Sequence, residues 1–304
     1  MNDRREKEGI VYGALSYILW GFIPIYWKLL QGVGAGEILA HRIIWSFVFM
    51  VILLLFSRQW KGFTQYVNEI IHNKKKCWSL FAASVFVSAN WGIFIWAVNA
   101  DRILDTSLGY YINPLVSILL GVTVLKEKLS KAQVVSVLLA AIGVLVMTVY
   151  LGSFPWISIS LALTFGIYGL AKKLINAEAA IGLTLETMMI LPFALGYAIY
   201  IMVKGDSMFF SGSNSWLMMG GGIATALPLL LFAMGAKHVP LSMMGFLQYI
   251  APTISLAIGV LMYHEAFTKI HLVTFLFIWS ALILFSVSQL KMKTHHKREL
   301  RKGA

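Results

Sequence analysis

Charge is scarce in this chain. Only 12% of its 304 residues are Asp, Glu, Lys or Arg, where a soluble globular domain carries about 25%. With 59% of residues hydrophobic, that deficit excludes an ordinary soluble enzyme. A single cysteine, Cys77, rules out an internal disulfide framework. Seven prolines set among 19 Phe, 12 Tyr and 10 Trp rule out a disordered or collagen-like chain, because such chains lack bulky apolar surface. No Lys-Ser/Thr pair follows Gly220, Gly221 and Gly222, so these glycines form no phosphate loop and fit close helix contact instead. No paired histidines stand at metal-ligand spacing, and the reading requires no cofactor. What remains is a polytopic membrane protein.

A membrane-spanning helix needs about 20 predominantly apolar residues. Ten such runs are present, at 9–30, 38–57, 77–98, 106–125, 132–150, 156–172, 181–203, 216–236, 241–262 and 271–290. Spans in hydrocarbon must satisfy their own backbone groups as helices or closed barrels. Continuous apolar runs such as VFMVILLLF, rather than alternating ten-residue segments, select helices.

The shortage of acidic residues leaves 25 Lys plus Arg against 13 Asp plus Glu, a net charge of +12. Basic residues concentrate in cytoplasmic loops. With the N-terminus inside, the segments 1–8, 58–76, 126–131, 172–180, 237–240 and 291–304 hold 20 of the 25 basic residues, so both termini are expected in the cytoplasm. The opening MNDRREKEG reads as the flank of an uncleaved first span rather than of a signal peptide. The tail KMKTHHKRELRKG lacks interleaved aromatics, which fits anchoring near anionic lipid and argues against nucleic acid.

The chain also repeats itself. At an offset of 138, Tyr111, Ile112, Pro114, Ser117, Gly121, Val122 and Glu127 fall on Tyr249, Ile250, Pro252, Ser255, Gly259, Val260 and Glu265. A weaker match at 145 sets Gly21, Lys28 and Leu29 over Gly166, Lys173 and Leu174. Two five-helix units follow, residues 1–150 and 151–290, with a basic tail at 291–304. An odd number of spans per unit makes their topologies opposite, an arrangement common in transporters.

The ordered motifs WGFIPIYWKLL (20–30), EILAHRIIWSF (37–47), NWGIFIWAVN (90–99), SLGYYINPL (107–115), FGIYGLAKK (165–173) and GFLQYIAPT (245–253) resemble the RarD branch of the EamA transporters, within the drug/metabolite transporter superfamily. The resemblance runs from residue 9 to about residue 290. It implies a carrier of the bacterial inner membrane with ten helices, in two inverted halves around a central cavity.

Polar residues at membrane depth are costly and therefore informative. Glu186, in GLTLETMMILPF, is expected either as a cavity carboxylate that takes up a proton or as a boundary residue paired with Lys172 or Lys173. Glu37, His41 and Arg42 open the second span on neighbouring helical positions. The planar fork of Arg42 suits a carboxylate or phosphate, and His41 titrates near neutral pH. The alternative is a rim group at the interface. At the 145 offset His41 falls on Glu186. Asn90, Trp91, Trp96 and Asn99 on the third span, Tyr110 and Asn113 on the fourth, and Gln248 and Tyr249 on the ninth supply hydrogen bonds beside aromatic faces, as a ligand cavity requires. Interhelical packing competes for the same residues. Pro114 and Pro252 each free a backbone carbonyl and mark a bend that both halves share.

The resulting expectation is a non-enzymatic secondary transporter that exports a small metabolite or amphipathic compound. Proton coupling would rest on Glu186 and His41, and facilitated diffusion remains open. A membrane-embedded enzyme and a nontransporting sensor are the rivals.

Overall fold

The computed structural model describes residues 2–30, 32–99, 103–152, 155–175, 177–263 and 268–302. Among these, all regular structure is helical: α1 (Asn2–Lys28), α2 (Ala35–Phe56), α3 (Trp60–His72), α4 (Lys74–Asn99), α5 (Ile103–Thr123), α6 (Lys131–Leu151), α7 (Trp156–Leu174), α8 (Ala179–Lys204), α9 (Asn214–His238), α10 (Leu241–Gln248), α11 (Ile250–Met262) and α12 (Lys269–Lys302). Nine segments of the described residues are long and apolar enough to cross a membrane, and a shorter apolar helix, Leu108–Thr123, lies in α5. The ten expected spans are all present as helices, in the expected order.

Local chemistry sets the helix ends. At α6, Ser130 Oγ accepts from the Gln133 amide at 3.3 Å while Gln133 Oε1 accepts from the Ser130 amide at 2.7 Å, a reciprocal cap that satisfies two otherwise orphaned donors. Gly152 ends the same helix in the left-handed region at φ +68, which costs glycine little. Two helices run past the bilayer limits read from hydropathy. α1 begins at Asn2, where Arg4 pairs with Glu8 one turn on, and α12 continues through the basic tail to Lys302.

Two features depart from the simplest reading. The basic segment 58–76 is no loop, for it contains α3, a helix of 13 residues. Its Phe63, Tyr66, Val67 and Ile70 form one stripe that packs against Leu54, Leu80, Ile181 and Leu185. The ninth span is broken at Tyr249 into α10 and α11, one turn from Pro252, which has no N–H to return to the Gln248 carbonyl. Pro114, its repeat partner, lies inside an unbroken α5.

The packing exchanges partners between the halves. α1 lies against α9, α10 and α11; its counterpart α7 lies against α4 and α5. α2 meets α8, α5 meets α10, and α6 meets α12, each pair joining equivalent helices. Hydrogen bonds repeat the pattern. Ser16 Oγ donates to the Pro228 carbonyl at 2.8 Å, and Asn90 Nδ2 donates to the Leu161 carbonyl at 2.8 Å; residues 16 and 161 differ by 145, and 90 and 228 by 138. Tyr249 bonds weakly to the carbonyl of its own repeat partner, Tyr111, at 3.4 Å. The halves interleave, so neither has a core independent of the other.

Close approach between α2 and α9 depends on Gly222. A Cβ there would overlap the Trp45 backbone, and Ser46 Oγ donates to the Gly222 carbonyl at 3.0 Å. The triple glycine therefore serves helix contact, with Gly220 and Gly221 facing Tyr26 and Trp27.

Candidate functional site

Arg42 lies seven residues into α2, about 10 Å along the helix, and only 9% of its surface is exposed. Its Nε donates to Thr225 Oγ1 of α9 at 3.0 Å. The guanidinium carbon stands 4.6 Å from the ring centroid of Trp27, at the end of α1, and 4.9 Å from that of Trp91 in α4. The Tyr110 hydroxyl of α5 is near enough to interact electrostatically with it. Four helices thus surround one cation. Among the described residues, neither Nη nitrogen donates to a protein acceptor, and no carboxylate pairs with the guanidinium. Tyr110 keeps 44% of its surface accessible beside this buried charge and packs its ring 5.8 Å from Phe94.

His41, the preceding residue, faces elsewhere. Its ring stacks on Phe209 with centroids 4.4 Å apart and planes 6° from parallel, while its buried Nδ1 has no partner among the described residues. Trp45 lies across the same phenyl ring at 6.4 Å. Phe209 belongs to the α8–α9 connection, which Glu37 holds in place. Glu37 Oε1 accepts from Ser207 Oγ at 2.7 Å, the Met208 amide at 3.0 Å and the Phe209 amide at 3.1 Å. The residues Glu37, His41 and Arg42 therefore divide between a loop clamp, an aromatic lid and a free cation.

Glu186 of α8 is fully committed. Its Oε1 accepts from Lys172 Nζ at 2.7 Å and its Oε2 from the Tyr168 hydroxyl at 3.2 Å, with all three residues buried. Of the two lysine partners left open by the sequence, the structure has Lys172. Lys173 instead donates to the Ala236 and Val239 carbonyls at the end of α9, at 3.0 and 2.5 Å, where cations offset unsatisfied carbonyls. Glu127 caps α10 by accepting from the Leu241 and Ser242 amides at 2.6 and 2.9 Å.

The remaining candidates do not form a single constellation. Trp91 and Tyr110 stand at Arg42. Asn90 is engaged in packing, its Nδ2 also donating to Thr164 Oγ1 at 3.0 Å. Trp96 is half exposed and lies 5.6 Å from Trp156, ring to ring. Tyr249 is fully enclosed in the contact with α5. Asn113 and Gln248 are buried, and each has a carbonyl oxygen without a donor among the described residues. Asn113 is one turn beyond Tyr110 on the same face of α5. The side chain of Asn99 lies outside the described residues, as does Glu265. Lys28 is exposed and sits over the Tyr263 ring at 3.2 Å.

Sequence reasoning missed Trp27, Thr225 and Phe209. Trp27 stands in an aromatic motif with nothing to separate it from Tyr26, and Phe209 lies in a connection. Thr225 carried a weak signal as a lone hydroxyl in the apolar run GGGIATALP.

Residues 7–149 match the EamA-like transporter family. The chain is 51% identical to the "Uncharacterized transporter YojE" of Bacillus subtilis, over 98% of this chain and 99% of that protein. It is 42% identical to "Protein RarD" of Escherichia coli over 94% and 96% of the two chains, and 29% identical to the "Chloramphenicol-sensitive protein RarD" of Pseudomonas aeruginosa over 92% and 94%. A solved crystal structure superposes with a TM-score of 0.71 over 94% of this chain and 99% of that one, at 15% identity, which shows a shared fold. With its helices long enough to cross a membrane, interleaved halves and near full-length relatives, the chain is a multi-pass membrane transporter that belongs to the RarD branch of the EamA-like transporter family.

Proposed function

We propose that this protein is a secondary carrier of the bacterial inner membrane, with both termini cytoplasmic, that exports a small organic solute by alternating access. The moving parts are the two units 1–150 and 151–290. The observation that carries the reading is the position of Arg42: a cation at membrane depth, held by α1, α2, α4 and α9, helices drawn from both units. A group fixed between two inverted units is presented to each side in turn as they rock. Trp91 and Tyr110 complete the solute site.

In this scheme the Lys172–Glu186 pair and Tyr168 form the cytoplasmic gate. Opening separates the pair, and the freed Glu186 carboxylate then takes up a proton. This assigns coupling to Glu186 and leaves His41 to the lid under Phe209.

The reading is tested by comparing metabolites in the medium of deletion and overproducing cells, then reconstituting the purified protein with the solute that changes. A carrier shows counterflow, in which unlabelled solute inside the vesicle drives uptake of labelled solute. Absence of counterflow for every differential solute rejects the carrier. Uptake that ignores a pH gradient, together with unchanged transport in Glu186→Gln, rejects the coupling role alone.

A further inference from the structure

We infer that the solute held at Arg42 carries an oxyanion, a carboxylate or a phosphate monoester, on a planar apolar body. The inference rests on the carrier reading for its location and deepens it by naming the solute class. An arginine in the middle of a helical bundle is costly unless something compensates its charge. Here the compensation among the described residues is incomplete. Thr225 takes the Nε–H, and Trp27 and Trp91 stabilise the cation through their rings. The four N–H bonds on the two Nη nitrogens have no acceptor among the described residues. They form the edge of a planar fork, whose spacing matches the two oxygens of a carboxylate or phosphate.

The carboxylates sharpen the assignment. A cationic solute would need a free carboxylate, but among the described residues Glu37 is occupied by the Ser207–Phe209 loop, Glu186 by Lys172 and Tyr168, and Glu127 by the start of α10. Trp91, Tyr110 and Phe94 supply flat apolar surface next to the guanidinium edge. A ring or conjugated chain ending in an oxyanion meets both requirements at once.

The test is tryptophan fluorescence of the full chain in phosphatidylcholine nanodiscs, titrated with benzoate, phenyl phosphate, benzamide and benzylammonium. At least one of the two anions is expected to saturate the signal with an apparent Kd about tenfold or more below that of benzamide, the loss expected when a charge-assisted bond becomes neutral. Benzylammonium should not saturate. Arg42→Gln should weaken the anions about tenfold or more and leave benzamide unchanged, and Arg42→Lys, which keeps charge without the fork, should fall between. Thr225→Val, which leaves Arg42 in place, should weaken anion binding severalfold and serves if Arg42→Gln does not fold. Equal affinity for benzoate and benzamide, no saturation by either anion, or anion binding unchanged in folded Arg42→Gln overturns the proposal. Loss of soluble-anion binding in phosphatidylglycerol nanodiscs identifies a lipid headgroup as the occupant and overturns it as well. Failure of the underlying reading looks different. Vesicles that transport neutral or cationic solutes but not anions leave the carrier standing, whereas vesicles that bind benzoate and carry nothing leave only the site.

Discussion

Replacement of Lys172 by Met tests whether the Glu186 cluster is a true buried ion pair. At 2.7 Å and an effective dielectric near 20, the gross attraction is about 6 kcal/mol. Desolvation of two side chains that are only 6% and 2% exposed offsets most of it. The single substitution removes the attraction but leaves Glu186 buried, with only the Tyr168 hydroxyl as donor among the described residues. The expected loss is about 3–5 kcal/mol, the range for an orphaned buried charge. Glu186→Leu should cost a similar amount by leaving Lys172 unpaired. The triple variant Lys172→Met, Glu186→Leu, Tyr168→Phe removes every polar member of the cluster and should return to within about 1 kcal/mol of the wild type, because buried pairs replaced by apolar groups of similar volume are near neutral. Equilibrium unfolding in mixed detergent micelles, followed by helical circular dichroism, reads all four proteins. Single variants that lose less than about 1 kcal/mol, or a triple variant that loses the sum of its parts, would refute the reasoning.

Three further outcomes follow from contacts elsewhere. Gly222→Ala forces a Cβ into the Trp45 backbone, which cannot rotate away, and should cost about 3 kcal/mol; Gly196→Ala, with nothing within 4 Å, should be neutral or gain about 0.5–1 kcal/mol, both measured by thermal unfolding. Glu37→Ala releases the Met208 and Phe209 amides and should speed their hydrogen exchange about tenfold or more, a loss of one charge-assisted bond each; exchange at the wild-type rate would show that the loop is held by other means. Glu127→Ala should expose the Leu241 and Ser242 amides in the same experiment and cost about 1–2 kcal/mol as a lost helix cap, while Glu127→Gln should retain part of both effects.

The number and order of spans were legible because a membrane helix is defined by length and hydropathy, which are properties of the sequence alone. α3 was not, since its 13 residues mix Lys61, Thr64 and Glu69 with Phe63, Val67 and Ile70 and sit among the basic residues that mark a cytoplasmic loop. The fates of Pro114 and Pro252 were equally hidden. Both remove one helical hydrogen bond, yet only the second helix breaks. There α10 follows α5 whereas α11 follows α1, so the two halves of that span answer to different neighbours. Arg42 was legible as a charge in an apolar run. Its aromatic walls were not, because Trp27 and Trp91 come from separate helices and meet only through packing. For Glu186, composition offered two lysines one residue apart, and the helical rotation of about 100° between them decides which reaches the carboxylate.

The repeat that made the halves equivalent also shows where they have diverged. At an offset of 145, Trp27 falls on Lys172, His41 on Glu186 and Arg42 on Thr187. Equivalent positions thus hold a free cation between tryptophans in one half and a closed ion pair in the other. Two identical halves would give inward- and outward-facing states of equal energy. In the alternating-access cycle proposed above, breaking Lys172–Glu186 would cost energy in one state only, because the equivalent positions, Trp27 and His41, hold no pair of opposite charges. The state that keeps the ion pair closed should therefore predominate in the empty protein, and Lys172→Met should shift the population toward the other. Accessibility labelling of Cys variants placed at each mouth of the bundle measures that shift, and equal labelling in wild type and Lys172→Met would rule it out.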